Sequence, residues 1–591
     1  MLLRRLLEFA NANPSLIPPP YHATKPVRWV CDLADMGGPM RLVDLAEPGD
    51  RVRRNGTPML VPSVTRTVGI APALAVDTVE YVFGWVADGK KPARVTAQHE
   101  AFRKLLDEWV AAEPDGPGRV LQAFYAGGYD RRVTVDGDWA PGQLVVFRNG
   151  GEFLHASPSA RRFWETVASE RKGSGQEGLC LVCGQVGELL KTIPQQAPAR
   201  LFPGATQSVS LVSVNKATHG FDLAEQLVHT PICTDCGLRV MAALEAVLSS
   251  DTGSLTYPGQ DGRLAWWTTG GGSDWLSLFT DANPQRVQTL LRSVHTGSLV
   301  DRADPARFCS VVVGGNVARA VVRSWVDMPL AETQANLTRW FVDHAMVDGW
   351  TGQVSHFGVS RLALATGRWK PGRGDSHGSY AKFGEKGGDR PDGTFHALVD
   401  AALTRKPLPP KLLSHVVHRI RTDGRVDPPR SALLRLALRR RPGITNSEMD
   451  RYMPTLNDQD DDPAYLAGRL FALLEGLQFA AGRARGDDRL NTTFADRYFA
   501  RAVSNPRLVL VIGRKNAQAW FRRLRRDAPG LARFYEPRIN ELFARMASTG
   551  MPYGVPVAQQ ARFILGYSQE RAHKTERTNS TGDLTETEGA Q

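Results

Sequence analysis

Cysteine is scarce, with six residues in a chain of 591. That excludes a secreted scaffold stapled by disulfides and points to a reducing, cytoplasmic setting. Long hydrophobic runs are missing too: no window supplies the roughly 20 apolar residues of a membrane span. The amino-terminal stretch MLLRRLLEFANANPSLIPPP has a short apolar start and no small-residue cleavage site. It reads as an amphipathic helix and not as a signal peptide. Neither a phosphate-cradling P-loop nor a paired-acid nuclease signature is present, so the chain is expected to do no chemistry of its own. Negative charge is also in deficit. Sixty-one acidic residues stand against 73 Lys and Arg, a formal net charge of +12. Guanidinium-rich surfaces suit a polyanionic partner, because they pair bidentately with phosphates and release counterions.

What is there spells an α+β chain. It is too long for a single core. Residues 1–175 mix strand-like pieces, PVRWVCDL and PMRLVDL, with the helical stretch TAQHEAFRKLLDEWVAAE. The latter places Phe102, Leu105, Leu106 and Trp109 on one face, with Thr96 as a candidate N-cap. Residues 176–366 form a middle α+β region with a strand signal in SVSLVSVN and a helix over about 238–248. GRWKPGRGDSHGSYAKFGEKGGDRPDG, within 367–394, reads as a flexible Gly-rich basic loop. From 395 to 572 the periodicity is that of a helical bundle. DPAYLAGRLFALLEGLQFA is its clearest helix, with Asp462 as cap and Pro463 at the first helical position. The acidic run NDQDDDP before it reads as that cap plus a solvated turn. Residues 573–591 read as a disordered polar tail.

Four of the cysteines stand in two C-x-x-C pairs, Cys180/Cys183 and Cys233/Cys236, each followed by glycine. Two such knuckles presenting four thiolates make a zinc-ribbon-like site for one structural zinc ion, closed to water and therefore a staple. A redox pair is the competing reading, although no thioredoxin-like βαβ pattern surrounds either half. Cys31 and Cys309 lie in apolar strand-like runs and read as core residues. His415 and His418, one helical turn apart, lack a third ligand and read as structural.

Several stretches resemble one family in collinear order: PPPYHATKPVRWVCDL, LVPSVTRTVGIAPALAVDTVEYVFGW, ATQSVSLVSVNKATHGFD, GGNVARAVVRSW, KLLSHVVHRIRTDGRVDPPRSALLRLALRR, DDPAYLAGRLFALLEGLQ, LNTTFADRYFARAVSNP and ARFILGYSQER. The chain thereby resembles the large subunit of the type I-C CRISPR Cascade, the Csd-one or Cas-eight-c family. The resemblance implies a subunit that works with the backbone and RNA-processing Cascade subunits, a CRISPR RNA and double-stranded target DNA. It implies reading of the protospacer-adjacent motif by the front domain, stabilisation of the opened duplex, and recruitment of the Cas-three helicase-nuclease. A C-terminal small subunit made separately from an internal start, at Met449 or Met453, is also implied. The second cysteine pair departs from the commonest form of the family, so zinc is an expectation for this member. The rival readings are a stand-alone zinc-containing nucleic-acid enzyme and a basic zinc protein that scaffolds protein partners only.

The residues that a DNA flank would need are loop and strand-edge cations and amides. In the front half they are Arg53, Arg54, Asn55, Arg66 and Thr67, then Ser208, Ser210, Asn215 and Lys216 around a strand end. Asn316, Arg319 and Arg323 recur at helical spacing and are expected on one helix face. In the back half Arg419, Arg421, Arg425, Arg430, Arg435, Arg439, Arg440 and Arg441 crowd one region. Lys515, Arg522 and Arg526 form a basic helical stripe beside Trp520 and Phe521, the pattern of a single-strand path.

Overall fold

The computed structural model describes residues 1–591 except 35–37, 48, 51–54, 65, 67–68, 134–138, 270–282, 284, 288, 290, 292–305, 349–351, 373–376, 487–491 and 587–591, and the side chains of 39–40, 549 and 574–586. The chain divides into two units. The front unit is Met1–Ser254, Gly262–Ala265 and Val313–Arg323; the back unit is Leu255–Asp261, Trp266–Val312 and Ser324–Gln591. The division expected at residue 175 therefore falls inside the front unit. Its physical reason is continuity: one helix ends at Lys172, a strand begins at Gly173, and Leu238 shares the apolar core of the front sheet.

In the front unit the elements are α1 (Leu2–Ala12), β1 (His22–Leu33), β2 (Pro39–Asp44), β3 (Thr57–Pro62), β4 (Val76–Thr78), α2 (Val79–Phe83), α3 (Pro92–Ala112), α4 (Gly118–Ala126), β5 (Leu144–Asn149), β6 (Glu152–Phe153), α5 (Pro158–Lys172), β7 (Gly173–Leu179), β8 (Val186–Leu190), β9 (Ala205–Ser210) and α6 (Thr234–Ser249). After them come β10 (Ser254–Leu255), β11 (Arg263–Thr269) and the long β12 (Arg307–Pro329). A six-stranded sheet runs β2-β1-β5-β4, with β3 also on β1 and β6 on β5. At its centre β1 lies parallel to β5, with Val30 opposite Val146. The apolar residues of PVRWVCDL make this strand: Val27, Val30, Cys31 and Leu33 are all buried. Helix α3 buries Phe102, Leu105, Leu106 and Trp109, as its periodicity predicts, but it starts at Pro92 and not at Thr96. Proline at the first turn sets the helical φ and gives up an N–H that has no partner there. Two buried indoles of this unit satisfy their N–H groups: Trp109 donates to Ser159 Oγ at 2.9 Å and Trp164 to Tyr21 O at 3.0 Å.

The stretch GGNVARAVVRSW is strand and not helix; it lies inside β12. Val311, Val312 and Val313 are buried, and these β-branched side chains favour the pleated backbone. Gly315 permits the approach to β9, since a Cβ there would stand 2.7 Å from the Ala205 nitrogen. Past it the ladder slips between Val317 and Arg319, and Val317 takes φ 57°. A β-branched residue at positive φ is strained by about 1–3 kcal/mol.

The back unit contains α7 (Leu330–His344), β13 (Met346–Val347), β14 (Val354–Ser355), α8 (Val359–Ala365), β15 (Trp369–Lys370), β16 (Ser379–Tyr380), α9 (Thr394–Thr404), α10 (Pro410–Asp423), α11 (Pro428–Arg439), α12 (Asn446–Arg451), α13 (Pro463–Arg483), α14 (Phe494–Ser504), α15 (Pro506–Asp527), α16 (Pro529–Thr549) and α17 (Val557–Glu586). Helix α13 is its axis, packed by α14, α15, α16 and α17. Asp462 caps it, accepting from Ala464 N and Tyr465 N at 3.0 Å each. Glycine sets the α13–α17 approach: a Cβ at Gly468 would run into Phe563 O, and one at Gly566 into Tyr465 O.

Three expectations change here. Residues 367–394 are not simply an exposed loop: β15 and β16 pair, Tyr380 is buried, and Arg390 donates to Ala363 O, Leu364 O and Ala381 O while stacking on Phe383. The acidic run is more than a solvated turn, because Asp460 is buried against Arg562 at 2.7 Å and Asp458 pairs with Arg469 at 2.6 Å. The tail from 573 continues α17 through Glu586, while 587–591 lie outside the described residues.

Candidate nucleic-acid cleft and metal centre

Strands β7 and β8 form an antiparallel hairpin whose turn carries Cys180 and Cys183, with Gly184 at φ 74°. The second pair sits otherwise: Cys233 is the N-cap of α6 and Cys236 lies in its first turn. All four sulfurs fall within 4.8 Å of one another, with Cys183 and Cys233 at 4.0 Å. A tetrahedral ion with Zn–S bonds of about 2.3 Å needs sulfurs about 3.8 Å apart, so the set fits one ion. Burial opposes ionisation of Cys180, but backbone N–H groups of Cys183, Cys233 and Val182 outweigh it and hold the thiol down to about 7. Burial and the neighbouring sulfurs push Cys233 and Cys236 upward.

The centre thus joins a hairpin turn to a helix N-terminus, and is not a pair of matching knuckles. Gly237 serves packing and not a turn, since a Cβ there would meet the Leu190 side chain. Cys31 and Cys309 are core residues, 1% and 0% exposed.

Directly beyond the hairpin lies a cleft of about 710 Å³, wholly within the front unit. Its lining includes Ser210, Asn215, Asn316 and Arg319 from the sequence reading, together with Ser213. Arg319 Nη2 donates to Asn215 Oδ1 at 2.9 Å, and Gln196 Nε2 to Ser210 Oγ at 3.2 Å. The β12 slip carries Asn316 and Arg319, of opposite strand parity, into the same cleft. Lys172, Lys191, Thr192, Gln196, Gln207 and Gln226 add to the polar lining, with Glu225 the one carboxylate among the lining residues. Burial pulls Lys172 below its ordinary value. These additional groups come from α5, from the chain after β8, from β9 and from the 225–227 segment. No spacing in the sequence announces them.

The wall at 225–227 and the chain leading into it are strained: Gln226 has φ 62°, and Asp222 and Leu223 just before it have φ 51° and 54°. Clamps hold 225–227: Gln226 N donates to Val214 O at 2.7 Å, Ala217 N to Glu225 Oε1 at 3.0 Å, and Leu227 N to Lys191 O at 3.1 Å.

The other front-half candidates disperse. Ser208 is exposed on β9, Lys216 is exposed beside the cleft without lining it, and Arg323 is exposed farther along β12. Asn55 is exposed in the turn before β3; Arg53, Arg54 and Thr67 lie outside the described residues. Arg66 turns inward, paired with buried Asp77, donating to Ala71 O at 2.7 Å and stacked over Tyr81.

In the back unit the crowded arginines are largely interior. Arg419, Arg430, Arg435, Arg439 and Arg440 are all buried. Arg430 donates to Ala365 O, Gly367 O and Asp423; Arg435 to Tyr452 O, Val342 O and Ala345 O; Arg439 and Arg440 share Asp343. Their donors close carbonyls near helix ends, so this group offers no groove for DNA. His415 Nε2 meets Thr366 O at 2.9 Å, a structural contact. Lys515, Arg522 and Arg526 are exposed on α15, and among the described residues neither Lys515 nor Arg522 has an ion-pair partner. Arg526 pairs with Asp527 at 2.6 Å.

These features define an α+β protein with a four-cysteine centre, an arginine-knit interior and polar, basic surfaces. The family described as CRISPR-associated protein (Cas_Csd1) matches residues 3–574, and the chain belongs to it: a type I-C Cascade subunit of the large-subunit family, which is a family of non-catalytic subunits working with other Cas proteins. No curated protein matches the chain. Among the described residues, no helix is long and apolar enough to cross a membrane.

Proposed function

We propose that this subunit reads the protospacer-adjacent motif of double-stranded DNA through its front unit and steadies the opened target within a CRISPR-RNA-guided, cytoplasmic complex. The observation that supports the reading best is the gathering of Ser210, Asn215, Asn316 and Arg319 with Lys172 and Lys191 around one cleft. Amides and a guanidinium pair with base edges, and lysines hold phosphates in register. Lys515, Arg522 and Arg526 on α15 track the backbone of an opened strand, with bond breaking left to a recruited Cas-three helicase-nuclease. One zinc ion at the cysteine centre is structural: its four thiolates leave no open position. A product begun at Met449 or Met453 would carry α13 to α17, a bundle with its own axis, as a small subunit.

The test uses the reconstituted complex and target duplexes with and without the flanking motif. Asn316→Ala with Arg319→Ala is expected to remove roughly 1–3 kcal/mol of discrimination per lost base contact while leaving non-specific binding in place. Discrimination unchanged in that double variant would sink the cleft assignment. Cleavage of DNA by the purified chain with divalent metal would sink the non-catalytic reading.

A further inference from the structure

The cysteine centre and the cleft share their framework. Beyond Cys180 and Cys183, β8 runs into Lys191, whose carbonyl receives Leu227 N, and Leu190 N donates to Ile232 O at 3.0 Å beside Cys233. Leu181 N, inside the first pair, donates to Pro231 O at 2.9 Å, and Cys233 N donates to Cys180 Sγ at 3.3 Å. Gln226 in the wall so tied, and Asp222 and Leu223 just before it, hold positive φ. Residues in such conformations persist only where their surroundings over-determine them. Glu188 on the same hairpin is exposed, and Leu179, Leu181 and Val186 are 57%, 64% and 71% exposed. Val182 and Leu190 are the hairpin's buried apolar side chains besides Cys180, so beyond those two and the backbone bonds above little holds it against the wall.

We infer that a soft divalent ion bound by Cys180, Cys183, Cys233 and Cys236 is the positioning element of the cleft: it ties the β7–β8 hairpin to the 225–232 wall. Without the ion the wall relaxes, and flank recognition is lost while the rest of the front unit stays folded. The β1–β5 sheet carries its own core of Trp109, Trp164, Phe124 and Phe147, which does not pass through the centre. This inference rests on the cleft reading above.

The experiment takes the intact reconstituted complex, removes metal with a mercurial thiol reagent plus chelator, then reverses the reagent with excess thiol and returns Zn²⁺ or Co²⁺. Three quantities are read: metal content, affinity for flank-bearing against flank-free duplex, and hydrogen exchange by peptide. The expected result is about one ion per chain. On its removal, flank preference falls at least tenfold, exchange rises over residues 190–196 and 212–232, and exchange over β1 and β5 is unchanged. Zn²⁺ restores all of it, and Co²⁺ adds a thiolate-to-cobalt charge-transfer band. Cys183→Ser, the half-buried ligand, should reproduce the loss without chelator. A metal-free complex with unaltered exchange over 190–196 and 212–232 would overturn the inference, as would protein isolated with no ion that binds neither Zn²⁺ nor Co²⁺. If exchange rises as expected while Asn316→Ala with Arg319→Ala leaves discrimination intact, the tie stands and the cleft reading is the one that fails.

Discussion

Two groups of cations in the back unit look alike in sequence and differ in everything that follows. Arg419, Arg430, Arg435, Arg439 and Arg440 are interior, Arg435 committed to carbonyls and the others to Asp343 or Asp423. Lys515 and Arg522 on α15 are exposed and, among the described residues, without ion pairs. The first group cannot turn outward without stranding buried acceptors; the second loses little by binding a phosphate. Arginine density is therefore a poor guide to a DNA surface unless the fold says which charges are spent.

The comparison can be broken most severely at Arg430, which is 0% exposed. Arg430→Met should cost roughly 3–5 kcal/mol, because Asp423 and several carbonyls lose their donor in the interior. Denaturant unfolding of the full chain measures it, and a cost under 1 kcal/mol would mean the interior assignment is wrong.

Acid should act next. Burial, helped by Arg435, holds His356 down to about 4, and burial likewise holds His155 to about 4. Both stay neutral in the fold, so the unfolded chain takes up protons first as pH falls below about 6.5. Each site then loses on the order of 3 kcal/mol of stability by about pH 4, where the folded form also protonates. The loss is absent above pH 7. Melting temperature followed from pH 7.5 to 4.5 should drop, and less so in His356→Phe; identical profiles would remove His356 from the account.

Replacing Lys515, Arg522 and Arg526 together with alanine should change stability by no more than about 0.5 kcal/mol per site. The same variant should lower the salt slope of target binding by about 2, the signature of three lost contacts to a single strand. The opposite pattern, lost stability with an unchanged slope, would make α15 another structural helix. The smallest effect belongs to Arg526→Ala alone. Its charge is already met by Asp527, so its slope change should fall below that of Lys515→Ala or Arg522→Ala.

Much of the framework was legible from residues. The core strand at 27–33, the buried face of α3 and the capped axis α13 follow from period and cap chemistry, which are local. The four cysteines also announced their meeting, since two C-x-x-C pairs have few other uses. Four readings went astray. Asn316, Arg319 and Arg323 fit a helix by spacing, yet the valines around them and the neighbour β9 made a strand. Thr96 had the chemistry of a cap, and Pro92 took the start. The acidic run and the arginine crowd looked solvated because the partners that bury them, Arg562 and Asp343 among them, lie about 100 residues away in the chain.

By itself the sequence determined an α+β chain with a helical back half, a cysteine quartet, an excess of positive charge and membership of its family. Those properties rest on composition, short-range periodicity and collinear motifs, all of which survive without coordinates. Only the tertiary structure decided which cations face inward, that a strand slip turns Asn316 and Arg319 into one cleft, and that this cleft shares a wall with the thiol centre. Such facts depend on contacts between segments far apart in the chain, where burial and backbone pairing, and not local preference, set the energy.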